Sequence, residues 1–145
     1  RIGSGDSFEA LGWGCIRTAV ELKREERLKE IHEGIRELIR LYQPDVMAIE
    51  QLFFNKNTKT ALRVGEALGV TLLAAAQSAL PLFEYTPLQV KETLAGYGRA
   101  DKKEVRMMVM HHLSLEKTPR PDDAADGLAI ALCHHFMAGL REMLR

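Results

Sequence analysis

The sequence has few of the features that mark a specialised class of protein. It contains only two cysteines, Cys15 and Cys133, which lie far apart and indicate free thiols in a reducing cytoplasm rather than a disulfide framework. No apolar run reaches membrane-spanning length, and the first residues do not read as a signal peptide. Lys plus Arg equals Asp plus Glu, 20 of each, so bulk charge does not indicate a nucleic-acid binder. A surface for nucleic acid must therefore come from local clustering of basic residues.

The 145 residues are enough for a single domain with a proper core, which we expect to span residues 1–145. Strand-like and helix-like apolar periods alternate along the chain, separated by turn residues. The predicted order is strand 8–18, helix 23–41, strand 46–50, helix 59–79, strand 82–86, a short helix from Pro87, a helix capped by Asp101 that ends near residue 113, and helix 122–144. This order predicts an α/β fold in which at least part of the sheet is parallel.

Three carboxylates, Asp122, Asp123 and Asp126, open the last predicted helix. Asp123 and Asp126 are three residues apart, so they share a helix face, and their neighbours are Ala, Gly, Leu and Ile. A carboxylate in apolar surroundings needs a positive charge beside it, and divalent metal ions take carboxylate oxygens. The alternative is that these residues cap the helix and suit its dipole. That alternative accounts better for Asp122 than for Asp126, which lies a full turn into the helix.

Glu50 closes the apolar run 46–50 and so lies at the carboxyl end of a predicted buried strand. Ligand and catalytic groups collect at such strand ends in open α/β sheets. If this end meets the start of the last helix, Glu50, Asp123 and Asp126 converge, and they cannot all stay ionised without cations. Two divalent ions, typically about 3.5–4 Å apart, would satisfy the cluster, and Mg²⁺ suits oxygen ligands. The alternative for Glu50 is a solvated strand end.

Basic residues form two groups near these acids in the sequence. One group follows the Glu50 strand and comprises Lys56, Lys59 and Arg63. The other surrounds the glycine turn 96–98 and comprises Lys91, Arg99, Lys102 and Lys103. Lys and Arg that contact phosphates give sequence-independent affinity for DNA. The alternative is that both groups are solvated helix faces.

The aromatic and histidine residues carry weaker signals. Phe53 and Phe54 follow Glu50 in a loop beside basic residues, where an aromatic ring can stack on bases, although the core is the alternative place for either ring. Two clusters at 111–112 and 133–135 contain His and Cys. Adjacent residues of a helix point to different faces, and the spacing is not that of a zinc site, so we do not expect one.

Several stretches of the chain resemble the RuvC family of bacterial Holliday junction resolvases. The stretches are Ala48-Ile49-Glu50-Gln51-Leu52-Phe53, Pro87-Leu88-Gln89-Val90-Lys91, Gly98-Arg99-Ala100-Asp101-Lys102 and Asp123-Ala124-Ala125-Asp126-Gly127-Leu128-Ala129, and Gly12-Trp13-Gly14-Cys15-Ile16-Arg17-Thr18 also fits. They occur in the family's order and cover nearly the whole chain. The acid-Gln-x-Phe and Asp-Ala-Ala-Asp motifs together make the resemblance specific.

The resemblance implies an RNase H-like fold, a mixed sheet flanked by helices. It implies a homodimer that nicks four-way DNA junctions symmetrically, with Mg²⁺ as cofactor, two ions expected and Mn²⁺ able to substitute. The RuvA–RuvB branch-migration complex is the implied protein partner, and the predicted helix 59–79 matches the family's dimer helix.

The resemblance also implies roles for single residues. Glu50, Asp123 and Asp126 match three of the family's four catalytic, metal-binding acids. Lys91 and Lys102 match its catalytically important lysines near the scissile phosphate. The ring that stacks at the junction is matched by Phe53.

The chain departs from the family at its start. The family opens with a central strand that ends in an aspartate followed by Pro-Gly, and then has a second strand, and neither precedes the predicted strand 8–18. Asp6 lies in a polar turn and does not replace that aspartate, and Gly127 stands where Ala is usual. We therefore expect an N-terminally truncated copy or an incomplete gene model. The sheet should be interrupted or unusually paired, rather than continuous with five strands.

The missing acid leaves two rival interpretations beside the nuclease. A junction-binding module would keep the basic and aromatic surface and hold junction DNA without cutting it. Another RNase H-like nuclease would act on RNA, although the acid-Gln-x-Phe motif favours junction DNA.

Overall fold

The structure, a computed structural model, describes residues 8–51 and 58–143, and in helical residues 58–60 and 140–143 it describes the backbone alone. The described residues form five helices and two strands, in the order α1 (Arg24–Tyr42), β1 (Met47–Glu50), α2 (Thr58–Gln77), β2 (Leu82–Tyr85), α3 (Pro87–Ala95), α4 (Lys102–His112) and α5 (Asp122–Met143). No helix in this part of the chain is long and apolar enough to cross a membrane. The predicted α/β class is confirmed.

The two strands pair in parallel. The Met47 N–H donates to the Pro81 carbonyl at 2.8 Å, and the Gln51 N–H donates to the Tyr85 carbonyl at 2.8 Å. Both partners advance along the chain together, which defines a parallel pair. A parallel pair needs a crossover connection, and the segment that contains α2 joins the two strands.

The predicted strand at 8–18 is wrong. Phe8 forms an isolated bridge, and residues 9–18 have no regular structure, with Leu11, Trp13 and Ile16 partly exposed. A strand is held by the backbone groups of a neighbouring strand, and in the described residues the sheet contains only β1 and β2. Alternation of residue types alone therefore does not produce a strand here, and residues 8–51 and 58–143 contain no five-stranded sheet.

The chain divides into two compact units, and one of them contains the described residues 16–47 and 58–83. In this unit α1 packs against α2. The Arg24 guanidinium forms a two-pronged ion pair with the Glu66 carboxylate, with Nε 2.8 Å from Oε2. One ring nitrogen of His32 lies 3.0 Å from the Gln77 side-chain oxygen. Polar contacts at two positions along the helices therefore join α1 to α2.

The other unit contains the described residues 8–15, 48–51 and 84–143, in which α3, α4 and α5 pack against one another. Its core is built mainly from small side chains on α5 and branched side chains on α3 and α4. The buried residues of these three helices are Val90, Leu94, Val109, Ala124, Ala125, Ala129, Leu132 and Cys133. Small residues let helix axes approach closely, so α5 forms the centre of this unit.

Two of these helices begin with side-chain caps. The Thr86 hydroxyl accepts from the Gln89 N–H at 3.1 Å at the start of α3. Asp101 and Glu104 form a reciprocal capping box at the start of α4, as the sequence predicts. α3 ends at Gly96, whose φ of 83° is left-handed and favours glycine. The start of α4 is therefore fixed by local sequence.

We expect Val109→Ala to lower the free energy of unfolding by about 2 kcal/mol, because it leaves a cavity where Val109 is 0% exposed. Met107→Ala is the matched control on the same helix, because Met107 is 53% exposed. Its effect should stay within about 0.5 kcal/mol. Urea unfolding followed by circular dichroism measures both values, and equal losses would contradict this assignment of the core.

Candidate active site

Two ion pairs join the start of α4 to the start of α5. Lys102 Nζ lies 3.3 Å from Asp126 Oδ2, and Arg106 Nη2 lies 2.7 Å from Asp122 Oδ2. The partners are four residues apart on each helix, so they lie on one face of each. The earlier residue of α4 pairs with the later residue of α5, so the helices run antiparallel across this contact. α4 thus places positive charge against the acids that the sequence singles out.

Asp122 has a different partner from the one its sequence position suggests. α5 begins at Asp122 itself. The Asp122 carboxylate forms an ion pair with Arg106 of the neighbouring helix, in addition to its interaction with the dipole of α5. The Arg106 side chain is only 24% exposed, and its Nε is buried and has no hydrogen-bond partner among the described residues. Nothing in the local sequence around Asp122 signals this pair, because the two residues lie on separate helices.

Lys102 is held at the first position of α4 by the turn that precedes it. The Asp101 carboxylate accepts from the Glu104 N–H at 2.8 Å, and the Glu104 carboxylate accepts from the Asp101 N–H at 2.7 Å. The Tyr97 hydroxyl donates to the other Glu104 oxygen, and this hydrogen bond raises the pKa of Tyr97. The turn and the helix start therefore form one hydrogen-bonded assembly.

Glu50 is the last residue of β1 and is exposed. The next residue pairs with Tyr85 of β2, whose ring is 2% exposed. The Tyr85 hydroxyl lies 2.8 Å from Nδ1 of His134 on α5. His134 follows Asp126 by eight residues, about 12 Å along the helix axis. The strand end that carries Glu50 is thereby tied to the helix that carries the other predicted acids.

In the described part of the chain, Glu50, Asp123 and Asp126 do not lie together as one set of metal ligands. Within residues 8–51 and 58–143, no three His, Cys, Asp or Glu side chains lie close enough together to hold a metal ion. Instead, the Lys102 ammonium forms an ion pair with one carboxylate oxygen of Asp126. The arrangement does not fit a bound metal as it stands, so the three ligand assignments stay predictions.

The other predicted site residues lie in different parts of the molecule. Lys91 is half-buried on α3, while Arg99 and Lys103 are exposed near the start of α4, in the same unit as Lys102. Arg63 is exposed on α2, in the other unit. Three predictions fall outside the described side chains: Phe53, Lys56 and Lys59.

The histidines of α4 and α5 form an aromatic cluster around Phe8. The Phe8 ring centroid lies 6.2 Å from that of His112, 4.9 Å from His135 and 5.6 Å from Phe136, all in edge-to-face geometry. Burial lowers the pKa of His112, and the neighbouring His111 lowers it further. Packing explains the cluster, and within residues 8–51 and 58–143 it contains no group of three side chains that could hold a metal ion. Both cysteines are free, Cys15 exposed and Cys133 buried, as predicted.

Comparison with known proteins decides the family. The family described as "Crossover junction endodeoxyribonuclease RuvC" matches residues 2–134. This chain belongs to the RuvC family. The RuvC of Moorella thermoacetica is 56% identical over 133 residues, which cover 92% of this chain and 80% of the relative. The RuvC of Desulforamulus reducens is 50% identical over 130 residues, which cover 90% and 80%. The resemblance found in the sequence is confirmed.

Solved RuvC structures share the fold. Thermus thermophilus RuvC in complex with Holliday junction substrate matches with a TM-score of 0.90 and 38% identity, over 95% of this chain and 84% of that one. A second Thermus thermophilus RuvC structure matches with a TM-score of 0.80 and 41% identity, over 86% and 75%. The RNase H-like fold that we predicted is therefore confirmed for this member of the family.

We expect the free energy of unfolding to fall as the pH drops below about 6.5, the ordinary pKa of histidine, partly through His112. The pKa of His112 is lowered in the folded chain, so below this pH the unfolded chain binds a proton that the folded chain does not. The stabilisation is complete above the unfolded pKa and is lost as the pH falls through the folded pKa.

His112→Phe keeps a ring in the cluster and removes the titrating group. Urea unfolding at pH 7.5 and pH 5.5 should therefore show a smaller loss for this variant than for the parent chain. Equal losses for the two proteins would refute the role given to His112.

Proposed function

We propose that this RuvC family member is a Holliday junction resolvase, an endonuclease that hydrolyses phosphodiester bonds of four-way DNA junctions in recombination and repair. The observation that carries the proposal is the 0.90 TM-score, over 95% of the chain, to a RuvC that was solved with its Holliday junction substrate. The relatives, of which the alignments cover 80%, carry the name crossover junction endodeoxyribonuclease.

We assign the chemistry to Glu50, Asp123 and Asp126, with Lys102 and Lys91. Glu50 ends β1, and both aspartates lie in the first two turns of α5. The Lys102 ammonium lies 3.3 Å from a carboxylate oxygen of Asp126 on α5. When phosphate oxygens arrive at this point, the ammonium would stabilise the negative charge that develops on them. Lys91, on α3 of the same unit, is given the second cationic role.

The proposed cofactor is Mg²⁺, with two ions and with Mn²⁺ as a substitute. The support is the chemistry of the donors, because hard divalent cations take carboxylate oxygens. Since the described carboxylates are not gathered, we draw no step of the reaction through the metal.

The residues proposed to contact DNA are basic groups and one aromatic ring, and they occur in both units. The exposed side chains of Arg63, Arg99 and Lys103 would contact phosphates, together with Lys56 and Lys59. Phe53 would stack at the junction. These contacts make affinity depend on salt, because each phosphate contact releases a counterion.

We further propose a homodimer formed through α2, which acts on junctions moved by RuvA–RuvB in the cytoplasm, with residues 1–145 forming one nuclease domain. Two leucines support the dimer helix: Leu62 is 60% exposed and Leu73 is 49% exposed. They lie eleven residues apart, about three helical turns, so they share one face of α2. A two-fold dimer matches the symmetric pair of cuts that a four-way junction requires.

A junction-binding module that does not cut is the rival candidate. Nicking of a synthetic four-way junction in Mg²⁺, beside a gel shift of the same junction in Ca²⁺, separates the two. Binding without nicking favours the module. Nicking in Mg²⁺ favours the nuclease.

We expect Glu50→Gln, Asp123→Asn and Asp126→Asn each to reduce nicking by about 100-fold or more, while junction affinity in Ca²⁺ changes little. Asp45→Asn is the matched control, because Asp45 is an exposed carboxylate just before β1 that has no assigned role. The measurement is the single-turnover nicking rate at saturating protein. An unchanged rate in the Asp126 variant would remove it from the catalytic set.

A further inference from the structure

We propose that the Arg106–Asp122 ion pair is a positioning device for Lys102, holding the first turns of α4 against α5 so that the Lys102 ammonium stays at the acids. The inference rests on the proposed function, because it concerns the cation assigned to the scissile phosphate. Arg106 and Asp122 are positioning residues in this account and touch no reacting atom.

The geometry of the two pairs carries the argument. Arg106 follows Lys102 by four residues on α4, and Asp126 follows Asp122 by four residues on α5. The pairs are therefore successive contacts between antiparallel helices, one turn apart, with separations of 2.7 Å and 3.3 Å. The shorter contact, Arg106–Asp122, lies one helical turn from the contact between Lys102 and Asp126.

Exposure separates the roles of the two cations. The Lys102 side chain is 73% exposed, so solvent screens its ion pair with Asp126. Forming the pair also costs the conformational entropy of the flexible lysine side chain. The Arg106 side chain is 24% exposed and that of its partner Asp122 is 55% exposed, so the cation of this pair is the more enclosed of the two. Arg106 is thus the better anchor, and Lys102 the group that reaches solvent.

Two described ion pairs link α4 to α5, Lys102–Asp126 and Arg106–Asp122. The capping box between Asp101 and Glu104 is internal to α4 and determines where the helix starts. The buried anchor on this helix, Val109, follows Lys102 by seven residues, about 10 Å along the axis. Arg106 lies between that anchor and Lys102 and pairs with Asp122 of α5.

The pair also removes one carboxylate from competition. Asp122 lies one residue before Asp123 and four before Asp126, and α5 directs all three acids from its first two turns. With its charge matched by Arg106, Asp122 is not the acid to which the Lys102 ammonium turns. The Lys102 ammonium pairs with Asp126.

The test compares the effect of Lys102→Ala in two backgrounds, the parent chain and Arg106→Met, which removes the charge and keeps an unbranched stem. Two readouts are measured on a synthetic four-way junction: the single-turnover nicking rate in Mg²⁺ and the affinity in Ca²⁺. Displacement of a catalytic group by about 1 Å costs up to about 100-fold in rate. We expect Lys102→Ala to reduce at least one readout by about 10-fold or more in the parent chain and by less than about 2-fold in Arg106→Met.

Three further variants separate positioning from general destabilisation. Asp122→Asn should reproduce the effect of Arg106→Met, and Arg106→Lys should restore part of the Lys102 effect. Arg40→Met is the matched control, because it removes an arginine that pairs with Glu37 at 2.6 Å on α1, in the other unit. In the Arg40→Met background, Lys102→Ala should keep its full effect, even if Arg40→Met and Arg106→Met lower the unfolding midpoint equally.

Two outcomes overturn the proposal and can be told apart. If Lys102→Ala has the same fold-effect with and without Arg106, the positioning role is wrong and the proposed function stands. If Lys102→Ala changes neither readout in the parent chain, the role of Lys102 fails and the positioning role fails with it.

Discussion

The negative charge at the start of α5 is the constraint on which the rest of this site depends. Asp122, Asp123 and Asp126 lie within five residues, and the positive end of a helix dipole offsets only part of their repulsion. α4 supplies two cations, Arg106 and Lys102, to the first and last of these acids. Because each pair requires α4 to run antiparallel to α5, charge compensation and helix docking are satisfied by the same arrangement.

Much of the fold could be predicted from the sequence because its helices are determined locally. The apolar period placed the first helix at 23–41, and α1 spans Arg24–Tyr42. The Asp101–Glu104 signature located the start of α4, where both side chains bond as a capping box does. The parallel pairing of β1 and β2 follows from a helix between two short apolar runs. Periods, caps and connections of this kind need no knowledge of distant contacts.

Tertiary contacts explain what could not be predicted. Residues 9–18 alternate as a strand does, yet a strand requires a neighbour, and the described residues pair none with this segment. Asp122 reads locally as a helix cap, whereas its partner lies sixteen residues earlier on another helix. Family resemblance identified Glu50, Asp123 and Asp126 as candidate acids, but whether they meet depends on strand and helix ends that sequence spacing does not fix. The described geometry leaves them apart as a ligand set.

We propose that Glu50, Asp123 and Asp126 bind a divalent cation, and the position of Mn²⁺ in crystals of the chain with a four-way junction tests this most directly. Anomalous scattering locates the ion independently of any assumed ligand. The account predicts an Mn²⁺ peak within about 2.0–2.6 Å of carboxylate oxygens of Glu50, Asp123 and Asp126. A peak bound elsewhere, or a junction complex in which α4 cations alone face these acids, would contradict it.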